Sequence, residues 1–160
     1  MKSTYLAVVG RIRTELPELD RLVKRTMSIW TQAKSTSDDY YVDAAALNLQ
    51  AFYTGLERLF EVIADGIDKV KPSGPNWHQE LLRQMASEIP GVRPEVISSN
   101  LRDQLDRYRG FRHVVRNVYS YNLDVEQVET LVMNLLPTMV QVSNELTSFN
   151  DFIMTLTSED

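Results

Sequence analysis

Cysteine is absent from the 160 residues. That excludes a disulfide framework, a thiolate metal site and a thiol nucleophile. It fits a reducing compartment, and a cytoplasmic protein is the expectation. Glycine and proline number six each, and no glycine-rich phosphate loop is formed from them. No run of about 18 apolar residues occurs, so no membrane span is expected. The opening residues Met1 to Tyr5 lead straight into mixed polar sequence, so no secretory signal is expected either. Histidine occurs only as His78 and His113, too few to argue a Ser-His-Asp constellation. No stretch alternates apolar and polar residues for long, so strands are not expected. An excess of positive charge is missing too. The formal net charge of −5 gives no overall attraction to nucleic acid, and any such binding has to come from a local patch.

What is present reads as a globular helical protein. The hydrophobic fraction of 43% and the charged fraction of 24% are ordinary for that class. The length suits one domain with a sizeable core, so residues 1–160 are taken as a single domain. Apolar residues Leu6, Val9, Ile12, Leu16, Leu19, Leu22, Val23, Met27 and Trp30 recur at steps of three and four, predicting a long helix from Thr4 to about Lys34. Pro17 lies inside it and predicts a kink in a single helix rather than a break. Residues 35–39 form a polar connector. A second long helix is expected from about Tyr40 to Val70, with Ala45, Leu49, Phe52, Tyr53, Leu56, Leu59, Phe60, Ile63 and Ile67 in the core. After a Pro- and Gly-rich loop, Asn76 is placed to cap a short helix from Trp77 to Ser87. Ser98, Ser99 or Asn100 caps a fourth helix running to about Tyr121. Asp124 followed by Gln127 reads as a capping box for a last helix to about Leu156, bent or split by Pro137. The fold class is all-α, a bundle of about five helices with four of them long.

The fourth helix carries the chemistry. Arg102, Arg107, Arg109, Arg112 and Arg116 are five of the chain's twelve arginines, against only Asp103 and Asp106 in the same span. An apolar row of Leu101, Leu105, Tyr108, Val115 and Tyr119 runs along it, and Arg112 falls on that row where a leucine would be expected. A guanidinium facing a partner helix is costly to bury without a counter-charge or a ligand. Arg112, His113, Arg116 and Tyr119 would lie within two turns, at spacings that make helix-surface neighbours. Two readings of the arginines stand side by side: a solvated face with salt bridges, or a phosphate-binding face, since the planar fork of Arg matches phosphate oxygens. His113 is either a surface residue or a proton carrier beside Arg112 and Arg116, because imidazole titrates near neutral pH. His78, after Trp77, reads as packing or capping. Tyr119 and Tyr121 read as core or interface aromatics, or as phenols that stack a base or take a modification. Asp38, Asp39 and Asp43 lie at a helix start, where acids are favoured in any case, and no metal is assigned to them.

At Arg112–Tyr119 (RHVVRNVY) the chain resembles the HEPN superfamily, and within it the HepT-like ribonuclease toxins. Tyr41–Leu49 (YVDAAALNL) with Phe52–Phe60 (FYTGLERLF) looks like the family's second helix. Ser73–His78 (SGPNWH), then Leu81, Leu82 and Met85, looks like its middle segment, and Phe111 to Asp124 like its motif helix and the turn after it. The likeness covers most of residues 40 to 125. The terminal helices match only in being long and amphipathic.

The resemblance implies a helical homodimer that cleaves RNA without a metal or other cofactor, silenced by a nucleotidyltransferase antitoxin that transfers AMP to a tyrosine. Carried over residue by residue, Arg112 matches the motif arginine, His113 the polar residue after it, and Tyr119 the modified tyrosine. Arg116 would join Arg112 on phosphate, and Arg107 and Arg109 would help hold RNA. Asn117 stands where the motif histidine should be, and an amide cannot shuttle a proton in the neutral range. Either His113 supplies the proton chemistry, or the chain is a weak or inactive relative that serves as a binding subunit of the nucleotidyltransferase.

Overall fold

The computed structural model describes residues 1–159. They form six α-helices: α1 Lys2–Ser35, α2 Tyr40–Ile63, α3 Trp77–Met85, α4 Ser99–Asn117, α5 Val125–Met133 and α6 Leu135–Ser158. Among the described residues there is no strand, only an isolated bridge between Ile89 and Arg93, and the all-α expectation holds. Among the described residues no helix is long and apolar enough to cross a membrane.

Helix α1 is one helix with Pro17 inside it. Pro17 loses its own amide bond and crowds the Arg13 carbonyl, but the buried residues Ile12, Leu19 and Val23 on either side keep both halves on one core. Every expected core residue of α2 is buried. The regular α-helix ends at Ile63, earlier than expected. The chain continues as a wide π-helical turn over Ala64–Asp68 and closes at Lys69 in the left-handed conformation, φ 60°. Gly66 is needed in this turn, because a Cβ there would lie 2.6 Å from a Val8 methyl of α1.

The turn also delivers Asp68 to Arg93, in the loop between α3 and α4. Asp68 Oδ1 accepts from Arg93 Nε at 2.6 Å and Oδ2 from Nη2 at 2.8 Å, and both side chains are fully buried. The remaining guanidinium hydrogens go to the carbonyls of Gln84, Ser87 and Pro94. This arginine spends its donors on closing the protein against itself. Asp68 and Arg93 thereby tie the turn after α2 to the C-terminal end of α3 and the loop that follows it.

Helix α4 is pinned on three sides. Ser98 caps it by accepting from the Leu101 amide at 3.1 Å, and the Ser98 amide and hydroxyl both donate to Glu145 of α6. The Tyr108 hydroxyl donates to the Leu131 carbonyl of α5 at 2.7 Å, and burial pushes this phenol up to about 12. Its ring meets Phe52 of α2 edge-on at 5.4 Å. Leu101, Leu105, Tyr108 and Phe111 fill the core beneath. Phe111, absent from the expected row, belongs to it.

Three further boundaries differ from expectation. Helix α4 stops at Asn117, not near Tyr121: the Asn117 amide donates to the His113 carbonyl at 2.7 Å, and Val118 turns extended at φ −129°, ψ 154°. Tyr119 is therefore off the helix. The last helix is split at Asn134 into α5 and α6. Pro137 clashes with the carbonyl four residues back, at Met133, and fits the first turn of α6, where no amide is required. Helix α3 ends at Met85 rather than Ser87, and Asn76 at its start makes no side-chain cap bond. The bundle thus has six helices where about five were expected, and Leu6, on the apolar row expected for the first helix, is exposed.

Candidate functional site

The site is built on a buried carboxylate. Glu57 lies on α2, four residues after the buried Tyr53 and three before the buried Phe60, and is itself buried. Its two oxygens have different partners. Oε1 accepts from Arg112 Nη1 of α4 at 2.9 Å. Oε2 lies 2.8 Å from His78 Nδ1 of α3. This is the counter-charge that Arg112 requires on its apolar row, and it comes from the facing helix. Burial, then the neighbouring Glu57, pushes the Tyr53 phenol far up, so Tyr53 stays a neutral neighbour of the carboxylate.

Above this carboxylate opens a cleft of about 240 Å³ lined by Pro75, Asn76, His78, Gln79, Arg109, Arg112, His113 and Arg116. Four of the expected site residues therefore meet in one place, three arginines and a histidine from α4. His78, read from sequence as packing or capping, joins them. Its ring does pack, stacked on Trp77 with centroids 3.6 Å apart, but its Nδ1 faces Glu57 and the ring borders the cleft. The cleft also takes in the first residues of α3, the helix end where backbone dipoles favour an anion.

The cations are not equally free. Arg109 is held by Asp106 at 2.7 Å. Arg112 is held by Glu57 through Nη1 alone, and its Nε is buried without a partner. Arg116 and His113 are exposed at the rim. A partly buried guanidinium with unused donors, beside exposed basic groups, is suited to a phosphoryl group, whose oxygens accept several such bonds at once.

The other expected residues lie elsewhere. Arg107 is exposed and borders a separate small cavity with Gln104, Tyr108, Thr130 and Asn134. Asn117 does not border the cleft, and its amide is used on its own helix. Tyr119 is 71% exposed and stacks on Tyr121, with rings 5.6 Å apart and nearly parallel. Asp38 accepts from the Tyr40 amide at 2.9 Å, a local cap. Glu57 was missed in the sequence because a glutamate in an amphipathic helix reads as solvent-facing. Its spacing from Tyr53 and Phe60 was the available signal.

A family model described as HepT-like protein matches residues 44–153. The chain belongs to the HepT-like family. That span holds α2 from Ala44, α3, α4, α5 and most of α6, and so the whole of the cleft. No curated protein and no solved structure matches the chain. Within the family's architecture, this HepT-like chain places its basic cleft between α3 and α4 and anchors it from below on α2.

Proposed function

We propose that this HepT-like protein is a metal-independent endoribonuclease toxin acting as a homodimer. The carrying observation is the cleft that gathers Arg109, Arg112, Arg116 and His113 over Glu57. In metal-free RNA cleavage the ribose 2′-oxygen attacks the adjacent phosphorus as its proton is removed. The bond to the 5′-oxygen breaks, and that oxygen takes up a proton, giving a 2′,3′-cyclic phosphate and a 5′-hydroxyl. Arg112, preorganised by Glu57, is placed to stabilise charge on the phosphoryl oxygens. Arg116 at the rim holds the phosphate with it, Arg109 adds to the binding of the strand, and His113 transfers a proton. Leu47, Val114, Val118, Tyr119 and Tyr121 are exposed, Leu47 and Val118 border one surface cavity and Tyr119 stacks on Tyr121; exposed apolar side chains of this kind are what a two-fold dimer would cover. Purified protein is expected to cut RNA in EDTA, leaving cyclic-phosphate ends. Intact RNA, or equal cutting after His113→Ala, would overturn the reading.

Control by a nucleotidyltransferase antitoxin belongs to the same proposal. Tyr119 presents an exposed phenol just past the end of α4, open to an enzyme that transfers AMP. Co-expression with a nucleotidyltransferase antitoxin is expected to raise the intact mass by whole AMP units. Tyr119→Phe removes the increment and leaves the RNA-cutting activity uncontrolled. An unchanged increment in Tyr119→Phe would place the modification elsewhere.

One observation favours a second reading, a binding subunit without ribonuclease activity: Asn117 occupies the motif histidine's place and is turned back onto its own helix. Firm binding of the nucleotidyltransferase by a protein that leaves RNA intact would decide for it.

A further inference from the structure

An in-line displacement at phosphorus needs proton transfer at two places. The attacking 2′-oxygen loses a proton on one side of the phosphorus, and the leaving 5′-oxygen gains one on the other. A single imidazole cannot reach both at once. Within one protomer the motif helix offers only His113, because Asn117 stands where another imidazole would be. The cleft nevertheless has two imidazoles, the second arriving from a different helix.

We propose that His78 is the catalytic base of the reaction, oriented by Glu57, with His113 as the acid; this rests on the ribonuclease reading above. A carboxylate oxygen accepts, so the 2.8 Å contact places a hydrogen on His78 Nδ1 and leaves the Nε2 lone pair to take a proton. Which ring nitrogen is free is set by the bond the other one makes. Stacking on Trp77 fixes the ring plane. The side chain is still 31% exposed while Glu57 beneath it is 6% exposed. The imidazole thus meets solvent at the cleft and the orienting group does not.

The way Glu57 divides its bonds argues against a purely structural pairing. If the carboxylate served only to neutralise Arg112, the fork-to-fork arrangement would satisfy both oxygens with one guanidinium. Instead Arg112 uses one nitrogen, its Nε is left buried and unpaired, and the second oxygen is given to His78. The carboxylate serves two tasks: it holds Arg112 for the phosphoryl oxygens, and it stabilises the imidazolium that forms when His78 takes the 2′-hydroxyl proton. When that proton moves to Nε2, the O2′–P bond forms and the P–O5′ bond breaks. His113 delivers its proton to the 5′-oxygen. The two imidazoles end with their protonation exchanged and are reset by solvent. The charged and titratable groups around His78 are Glu57 from α2 and Arg109, Arg112, His113 and Arg116 from α4. On its own helix, Glu80 is engaged with Arg83.

The test is the pH–rate profile of RNA cleavage in EDTA by the full chain, for wild type, His78→Gln, His78→Gly and His113→Ala. His78→Gln keeps a donor to Glu57 but cannot take a proton. It is expected to lower the rate by about 10²–10⁴-fold and to abolish the rise on the acid side. His113→Ala abolishes the fall on the alkaline side. Added imidazole is expected to restore part of the rate to His78→Gly, which a packing role would not allow. If wild type and His78→Gln cut at similar rates with the same profile, the assignment of His78 is wrong and the ribonuclease reading stands. If the rate falls but the profile keeps its shape and imidazole restores nothing, His78 is structural and the proposal is again overturned. If the wild type leaves RNA intact under all conditions, both the ribonuclease reading and the role of His78 fall together.

Discussion

An RNA-cleavage rate lowered by about 10²–10³-fold is the expected result of Arg112→Ala, the range seen when one preorganised donor to a developing oxyanion is removed. The reason lies in what Glu57 does before substrate arrives. It fixes Nη1 of Arg112 at 2.9 Å, so the guanidinium does not have to find its orientation during the reaction. Arg112→Lys is expected to recover little. An ammonium keeps the charge but presents no planar fork, and it cannot keep a bond to Glu57 while offering donors in the same plane to phosphate. A rate for Arg112→Ala within tenfold of wild type, on a defined oligonucleotide at fixed salt, would remove Arg112 from the centre of the mechanism. Salt must be fixed because phosphate contacts weaken steeply with ionic strength.

The second large effect is on stability and lies away from the cleft. Asp68→Ala is expected to cost about 3–5 kcal/mol, the cost of leaving a buried charge without its partner, and to lower Tm by roughly 6–20 °C for a chain of this size. Arg93 would keep its bonds to three carbonyls but lose both ionic contacts in a site closed to water. The contrasting variant is Asp20→Ala. Lys24 and Asp20 also meet at 2.8 Å, but their side chains are 72% and 44% exposed, and such pairs contribute about 1 kcal/mol or less. Urea denaturation of the two variants separates burial from distance as the deciding factor. Equal losses would mean that the Asp68–Arg93 pair carries no special weight.

Regular elements were legible where one periodicity ran without interruption. In α2 and the turn that continues it the steps of three and four single out nine core residues, and all nine are buried. The ends were less legible, because they depend on single side-chain bonds and steric contacts. The Asn117 amide folding onto the His113 carbonyl ends α4, and nothing in the apolar pattern announces it. Pro137 announced a break or a bend in the last helix but not its place, which follows from a clash four residues upstream. The misfit of Arg112 on an apolar row was visible in the sequence and pointed to a counter-charge. That charge belongs to Glu57, 55 residues away in the chain. Periodicity along one helix says nothing about which residue of another helix it will face. For the same reason His78 reads as a packing or capping residue, and its contact with Glu57 emerges only when α2 and α3 are brought together.

The wide turn at Ala64–Asp68 gives the length of the chain a significance of its own. A residue advances an α-helix by about 100°, so deleting one residue here to restore regular winding would rotate the end of the turn by that amount. Gly66 would leave its close approach to Val8, and Asp68 would swing away from Arg93. The loop leading to Trp77 and His78 would then set out in a different direction. The aim of an imidazole ten residues downstream thus depends on a spacing, which no substitution of a side chain within the turn can alter and a single-codon deletion can.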